Sequence, residues 1–154
     1  MRLCMVTSFY PPYNFGWDGI FVQSLAELLV RQGHSVSVVH CEDAFRLKGK
    51  VQDYDVSSSQ ADRGVTVHRL KSRFGQLSPL LSHQLGRPAL KSPRLEELLN
   101  QSFDVINFHN VSLMGGPGVL RVGNAPVKLY TFHEHWLVCA THILWKYGKK
   151  ACDG

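Results

Sequence analysis

Apolar residues along this chain come in short blocks separated by stretches rich in glycine, proline and serine. Residues 2–8 (RLCMVTS) form a mostly apolar run that Tyr10-Pro11-Pro12 must end, because proline cannot continue a ladder. The pattern predicts a buried strand there, then a loop over residues 9–19. From Ile20 onward Phe21, Leu25, Leu28 and Leu29 recur at helical spacing until Gly33 supplies a C-terminal cap. Residues 34–41 (HSVSVVHC) read as a second strand. Strand, loop, helix and strand in this order make a βαβ unit, and its right-handed crossover sets the two strands parallel and adjacent.

Residues 42–64 are polar, with Ser57-Ser58-Ser59 in their middle, and predict an excursion without a strong element of its own. Residues 65–70 (VTVHRL) predict a third strand. Residues 72–91 hold Pro79, Pro88 and two glycines and read as a second irregular stretch. Ser92-Pro93 is a favourable helix start leading into Leu95, Leu98 and Leu99. Residues 104–109 (DVINFH) predict a fourth strand, 111–122 a short glycine-interrupted helix, and 127–132 (VKLYTF) a fifth strand. Five strands alternating with helices specify a doubly wound, Rossmann-like α/β fold with a parallel sheet. At 154 residues the chain suits one such domain.

Composition narrows the class. With 44% hydrophobic and 19% charged residues the chain is globular, and disorder over its whole length is excluded. The net charge of +5 is spread along the chain, with Arg46, Lys48 and Lys50 as the densest cluster, joined by Arg69, Lys71 and Arg73. Without a basic run, nucleic acid is not the expected partner; a basic rim suits phosphate-bearing or acidic ligands, or peripheral contact with an anionic membrane surface. Cys4, Cys41, Cys139 and Cys152 are too few and too unevenly spaced for a disulfide scaffold. No apolar run reaches the roughly 18 residues of a membrane span, and the start of the chain has no signal-peptide pattern. A reducing, cytoplasmic setting is the expectation.

Candidate chemistry gathers where an open parallel sheet binds ligands, beyond the carboxyl ends of its strands. Gly16 and Gly19 follow the first strand and precede a helix whose N-terminal amides suit a phosphate. They do not form the dinucleotide fingerprint G-x-G-x-x-G, and Asp18 between them would repel a pyrophosphate. Glu42-Asp43, after the second strand, keeps a dinucleotide-binding alternative in play. His109-Asn110 follow the fourth strand and His133-Glu134-His135 the fifth. A neutral imidazole at such a mouth can hydrogen-bond a sugar hydroxyl or stabilise charge near a leaving phosphate, and it can equally be structural. His109, His133, His135 and His142 could instead ligate zinc, although no His-Glu-x-x-His is present and no metal is expected. Cys139 and Cys152 are expected as thiols, and Cys4 and Cys41 as core residues on neighbouring strands. Trp136, Leu137, Ile143, Leu144 and Trp145 form an apolar stripe that suits core or a domain interface.

The opening run RLCMVTSFYPPYNFGWDGIFVQSLAELLVRQGHSVSVVHC, followed by DVINFHN and TFHEHWLVCATHILWKYGKKACDG, resembles family 4 glycosyltransferases of the GT-B fold. The resemblance rests on the Pro- and Gly-containing loop after the first strand, Gly33-His34 before the second, the fourth-strand histidine, and the histidine segment after the fifth. It implies the N-terminal, acceptor-side half of a retaining glycosyltransferase that uses a nucleotide-diphosphate sugar as co-substrate, with no further cofactor. His133 then matches a catalytic histidine beside the transferred sugar, and Gly16 and Gly19 a loop approaching the donor diphosphate. His109, with Asn110 and Glu134, is placed on the side of a glycan, lipid-linked or small-molecule acceptor. The family's donor-binding C-terminal domain is expected to be missing, since Glu27, Glu42, Glu96, Glu97 and Glu134 each lack a glutamate eight residues on. The chain by itself is therefore expected to be inactive. A non-catalytic Rossmann-like binding module and a zinc hydrolase are the alternatives.

Overall fold

The computed structural model describes residues 1–49, 59–90, 92–135, 139, 144–146 and 150–151. Its centre is a six-stranded sheet built from β1 (Arg2–Val6), β2 (Ser35–Cys41), β3 (Ser59–Asp62), β4 (Val65–Leu70), β5 (Val105–Phe108) and β6 (Val127–Tyr130). The order is β3-β4-β2-β1-β5-β6, and every neighbouring pair is parallel except β3 with β4. The five predicted strands are all present and lie parallel. The order turns at β1: strands before β5 are added on one side and later strands on the other, so the crevice between β1 and β5 is the topological switch point.

Side chains alternate across this sheet with period two. On one face Cys4, Val6, Val39, Cys41, Ile106 and Phe108 join one apolar cluster, completed by Leu95, Leu98 and Leu99 of α4 (Ser92–Leu99). On the other, Met5, Val36, Val38, Val65 and Val67 pack against Val22 and Ala26 of α1 (Asp18–Arg31). Two buried faces make the sheet doubly wound. Cys4 and Cys41 are fully buried core residues, and burial pushes the Cys4 thiol up to about 12.

Several element readings need correction. The helix α1 begins at Asp18, two residues before Ile20, and its buried face is Gly19, Val22 and Ala26. Phe21 and Leu28, counted as core by spacing, are 46% and 44% exposed. The polar stretch after β2 contains α2 (Glu42–Lys48) as well as the edge strand β3. Glu42 and Asp43 in its first turn and Arg46 and Lys48 in its last suit the helix dipole, and Glu42 pairs with Arg46 one turn on at 2.8 Å. The second stretch read as irregular contains α3 (Leu77–Leu85). Pro79 is tolerated because it lies in the first turn, where its missing N–H has no intrahelical partner to lose. Residues 111–122 hold a 3-10 helix, Gly116–Arg121. A further two-stranded hairpin pairs β7 (Trp145–Lys146) with β8 (Lys150–Ala151). Of the apolar stripe, Leu144 and Trp145 are exposed, while Trp136, Leu137 and Ile143 lie outside the described residues, as do His142 and Cys152.

The α1 correction carries a stability test. Val22→Thr places a hydroxyl at a fully buried position and is expected to lower unfolding free energy by about 1–3 kcal/mol. Leu28→Thr should cost less than about 1 kcal/mol, mainly helix propensity. Denaturant titration of both variants decides it; a larger loss at Leu28 would restore the spacing-based face.

Candidate functional site

Backbone pairing continues past the strand ends and draws the post-strand residues into one row. The Thr7 amide donates to the Val39 carbonyl at 3.0 Å, His109 to Val6 at 2.8 Å, Ser8 to Asn110 at 2.6 Å and Thr131 to Phe108 at 2.8 Å. Because β5 alternates faces, Ile106 and Phe108 point into the α4 side and His109 falls on the α1 side. His109 is fully buried there.

The two strand-end histidines meet. His109 Nδ1 lies 2.9 Å from His133 Nε2, with ring centroids 5.2 Å apart. One of these nitrogens must donate and the other accept, so at most one proton sits in the contact. Phe21, from the first turn of α1, stands edge-on to His133 at 5.1 Å and lies 6.1 Å from His109. Burial first, and the neighbouring His133 second, pull the His109 imidazole down to about 4. It is neutral at physiological pH. His109 Nε2 is buried with no hydrogen-bond partner among the described residues.

Beside the pair, Asn110 joins two carboxylates. Its Nδ2 donates to Glu134 Oε1 at 2.9 Å and to Asp18 Oδ2 at 3.1 Å, while Ser112 Oγ donates to Asn110 Oδ1 at 3.1 Å. The other Asp18 oxygen, Oδ1, accepts the Gly19 N–H at 2.9 Å. The acid that sequence reasoning treated only as repelling phosphate therefore occupies the N-terminal amide of α1, tying that helix to the ends of β5 and β6.

The two glycines have local structural causes as well. Gly16 is exposed, adopts φ +73° and leaves open space where a Cβ would stand, and its carbonyl accepts from Asn14 Nδ2 at 3.0 Å. Gly19 is buried, and a Cβ there would run into the Asn14 side chain and come within 3.0 Å of the Phe9 carbonyl. The structure thus gathers His109, Asn110, His133 and Glu134, with Gly19 linked to them through Asp18 and Gly16 further out on the loop. Asp18 and Phe21 are the two members that sequence reasoning missed. No sequence signal marks Phe21, because the rotation of α1 that buries Gly19, Val22 and Ala26 and leaves Phe21 beside the histidines is set by tertiary packing.

A third histidine holds the loop before α1. His40, at the end of β2, is fully buried, stacked on Tyr13 at 5.9 Å and tilted against Tyr10 at 5.9 Å. Tyr10 and Tyr13 bracket the loop through a 3.1 Å backbone bond. Both His40 nitrogens lack a hydrogen-bond partner among the described residues, and burial, then Arg69, pull the ring down to about 3. The two acids after β2, which keep a dinucleotide-binding alternative in play, are engaged within the fold: Asp43 Oδ2 accepts the Ser72 amide at 2.7 Å, and Glu42 lies 3.6 Å from Lys71. Among the described residues no three His, Cys, Asp or Glu side chains gather at metal-binding distance.

Proton linkage follows from the two buried rings. Above about pH 6.5 they are neutral both folded and unfolded. Below it the unfolded chain takes up protons that the fold refuses until about pH 4 for His109 and about pH 3 for His40, so stability falls with pH across that window. Denaturant titrations at pH 7.5 and 5 should show this loss, and His40→Phe should shrink it. A stability unchanged between those pH values would contradict the buried, neutral rings.

Compared with known proteins, residues 19–153 match the family model described as Glycosyltransferase Family 4, a span that takes in Gly19, His109, Asn110, His133 and Glu134 and begins after Gly16 and Asp18. No curated protein matches the chain.

Proposed function

Because the chain belongs to glycosyltransferase family 4, we propose that it forms the N-terminal, acceptor-side wall of a GT-B enzyme. That enzyme transfers a sugar, with retention of configuration, from a nucleotide-diphosphate sugar to an acceptor. The observation that carries the reading is the His109–His133 contact at the switch-point edge, flanked by Asn110 and its two carboxylates. In this reading His133 is the catalytic group that meets the transferred sugar. Fully buried His109 and the Phe21 edge fix its ring, so that little reorganisation remains when charge develops. His109 stays neutral and positions; Asn110 and Glu134 take acceptor hydroxyls, Glu134 as a hydrogen-bond acceptor. Gly16, on the loop, and Gly19, in the first turn of α1, face the donor diphosphate, and the nucleotide binds mainly on a second domain.

One observation favours a second reading. The Asp18 carboxylate already lies on the Gly19 amide, where a donor phosphate would approach. A non-catalytic binding module would keep it there, whereas a transferase must let it turn away or accept phosphate elsewhere on the loop.

Two outcomes test the proposal. Purified residues 1–154 should turn over no nucleotide sugar, since they supply one wall of a closed cleft. In the two-domain enzyme, His133→Ala should lower kcat/KM by about a hundredfold or more with little change in thermal midpoint, the loss typical of one positioned polar group. Unchanged turnover, or a loss explained wholly by unfolding, would return His133 to a structural role.

A further inference from the structure

The helix α3 is built inside out. Its buried residues are Ser78, Pro79 and Ser82, while Leu77, Leu80, Leu81 and Leu85 are exposed, Leu77 at 57% and Leu85 at 53%. At 3.6 residues per turn these four leucines span an arc of about 140°. Phe74, just before the helix, is exposed beside them. The inward serines hold the following turn: Ser78 Oγ donates to the Ala89 carbonyl at 2.9 Å, and the Ala89 amide donates to Ser82 Oγ at 3.1 Å. Gly118 of the 3-10 helix donates to the Gly86 carbonyl at 2.8 Å. The apolar face is therefore presented to solvent by a latched helix, and an exposed apolar patch of this kind marks an interaction surface.

Charge says what covers it. Residues 63–95 contain seven of the chain's 17 Lys and Arg and none of its 12 Asp and Glu. Lys71 and Arg73 precede α3, Arg87 follows it, and all three are exposed. Gln76 Nε2 donates to the Arg46 carbonyl at 3.0 Å, which brings the basic end of α2, with exposed Lys48, to the start of α3. A second copy of this face would meet like charge, and nucleic acid would leave the leucines uncovered. An anionic bilayer satisfies both parts.

We propose that α3 is a membrane-docking element, lying in the headgroup region of an anionic bilayer. Phe74 and the leucines enter the acyl boundary, and Lys71, Arg73 and Arg87 lie at lipid phosphates. The attachment is peripheral, since no helix among the described residues is long and apolar enough to cross a membrane. It rests on α3 and its flanks and not on the transfer reaction, so binding and activity can fail separately.

The test is partition of the purified chain onto vesicles of phosphatidylcholine with and without phosphatidylglycerol. Anionic lipid should raise the partition coefficient at least about tenfold, and salt should lower it. Leu77→Gln with Leu81→Gln should lower it about tenfold or more, as should Arg73→Ala with Arg87→Ala. Leu28→Gln, an equally exposed leucine on α1, should leave it unchanged. Circular dichroism and thermal midpoint identify any variant that fails to fold, and the arginine pair supplies an independent arm if the leucine pair does. Equal binding to both vesicle types, indifference to the α3 leucines, or a concentration-dependent dimer abolished by the leucine substitutions would overturn the proposal, the last in favour of a second copy.

Discussion

Everything at the candidate site depends on the strand register at the carboxyl end of β1 and β5. Val6 stands opposite Phe108, and the ladder continues through the His109 amide to Val6 and the Ser8 amide to Asn110. Side chains alternate across a strand, so a slip of one residue would send Phe108 to the α1 face and His109 into the cluster around Leu95 and Leu99. The apolar demand of Ile106 and Phe108 on that cluster therefore places the buried imidazole. Packing of β5, an energetic matter decided far from any ligand, determines which face carries the chemistry.

The same ladder explains why residues distant in sequence meet. β6 pairs with β5 in register, and Thr131 continues that pairing to the Phe108 carbonyl, which delivers His133 two residues later beside His109. The helix α1 is held from its first residue, because the Asp18 carboxylate accepts from both the Gly19 amide and Asn110 Nδ2. A negative side chain at a helix N-terminus is favourable electrostatically, and here it also fixes the angle at which Phe21 reaches the histidines. Helix, strand end and loop are thus one connected unit, with the exposed leucines of α3 on another connection of the sheet.

Much of this was legible in the sequence. Short runs built on apolar residues, such as VTVHRL after Gly64 and DVINFH, predict buried parallel strands, and the carboxyl-end rule places His109 and His133 at one edge. What escaped were elements whose local pattern runs against their environment. The helix α3 exposes its leucines and buries its serines, so a reading that expects apolar residues inside meets Pro79 and the serines and sees a loop. The seven-residue α2 is too short for periodicity, and its signal is charge order, acids first and bases last. Phe21 and Leu28 fit a helical repeat, yet the close approach at Gly19 turns α1 so that Val22 and Ala26 face the sheet. Spacing alone cannot give that rotation. The role of Asp18 was hidden because its partners lie on other elements.

The most direct measurement of the central claim is a histidine-resolved NMR titration of the folded chain. The account predicts that His109 titrates near pH 4, far below the ordinary value of about 6.5, because it is buried against His133. In His133→Ala it should rise while remaining below 6.5, since burial is the larger cause. A His109 that titrates near 6.5 in the native chain, or ignores the loss of His133, would contradict the paired, buried imidazoles on which the site is built.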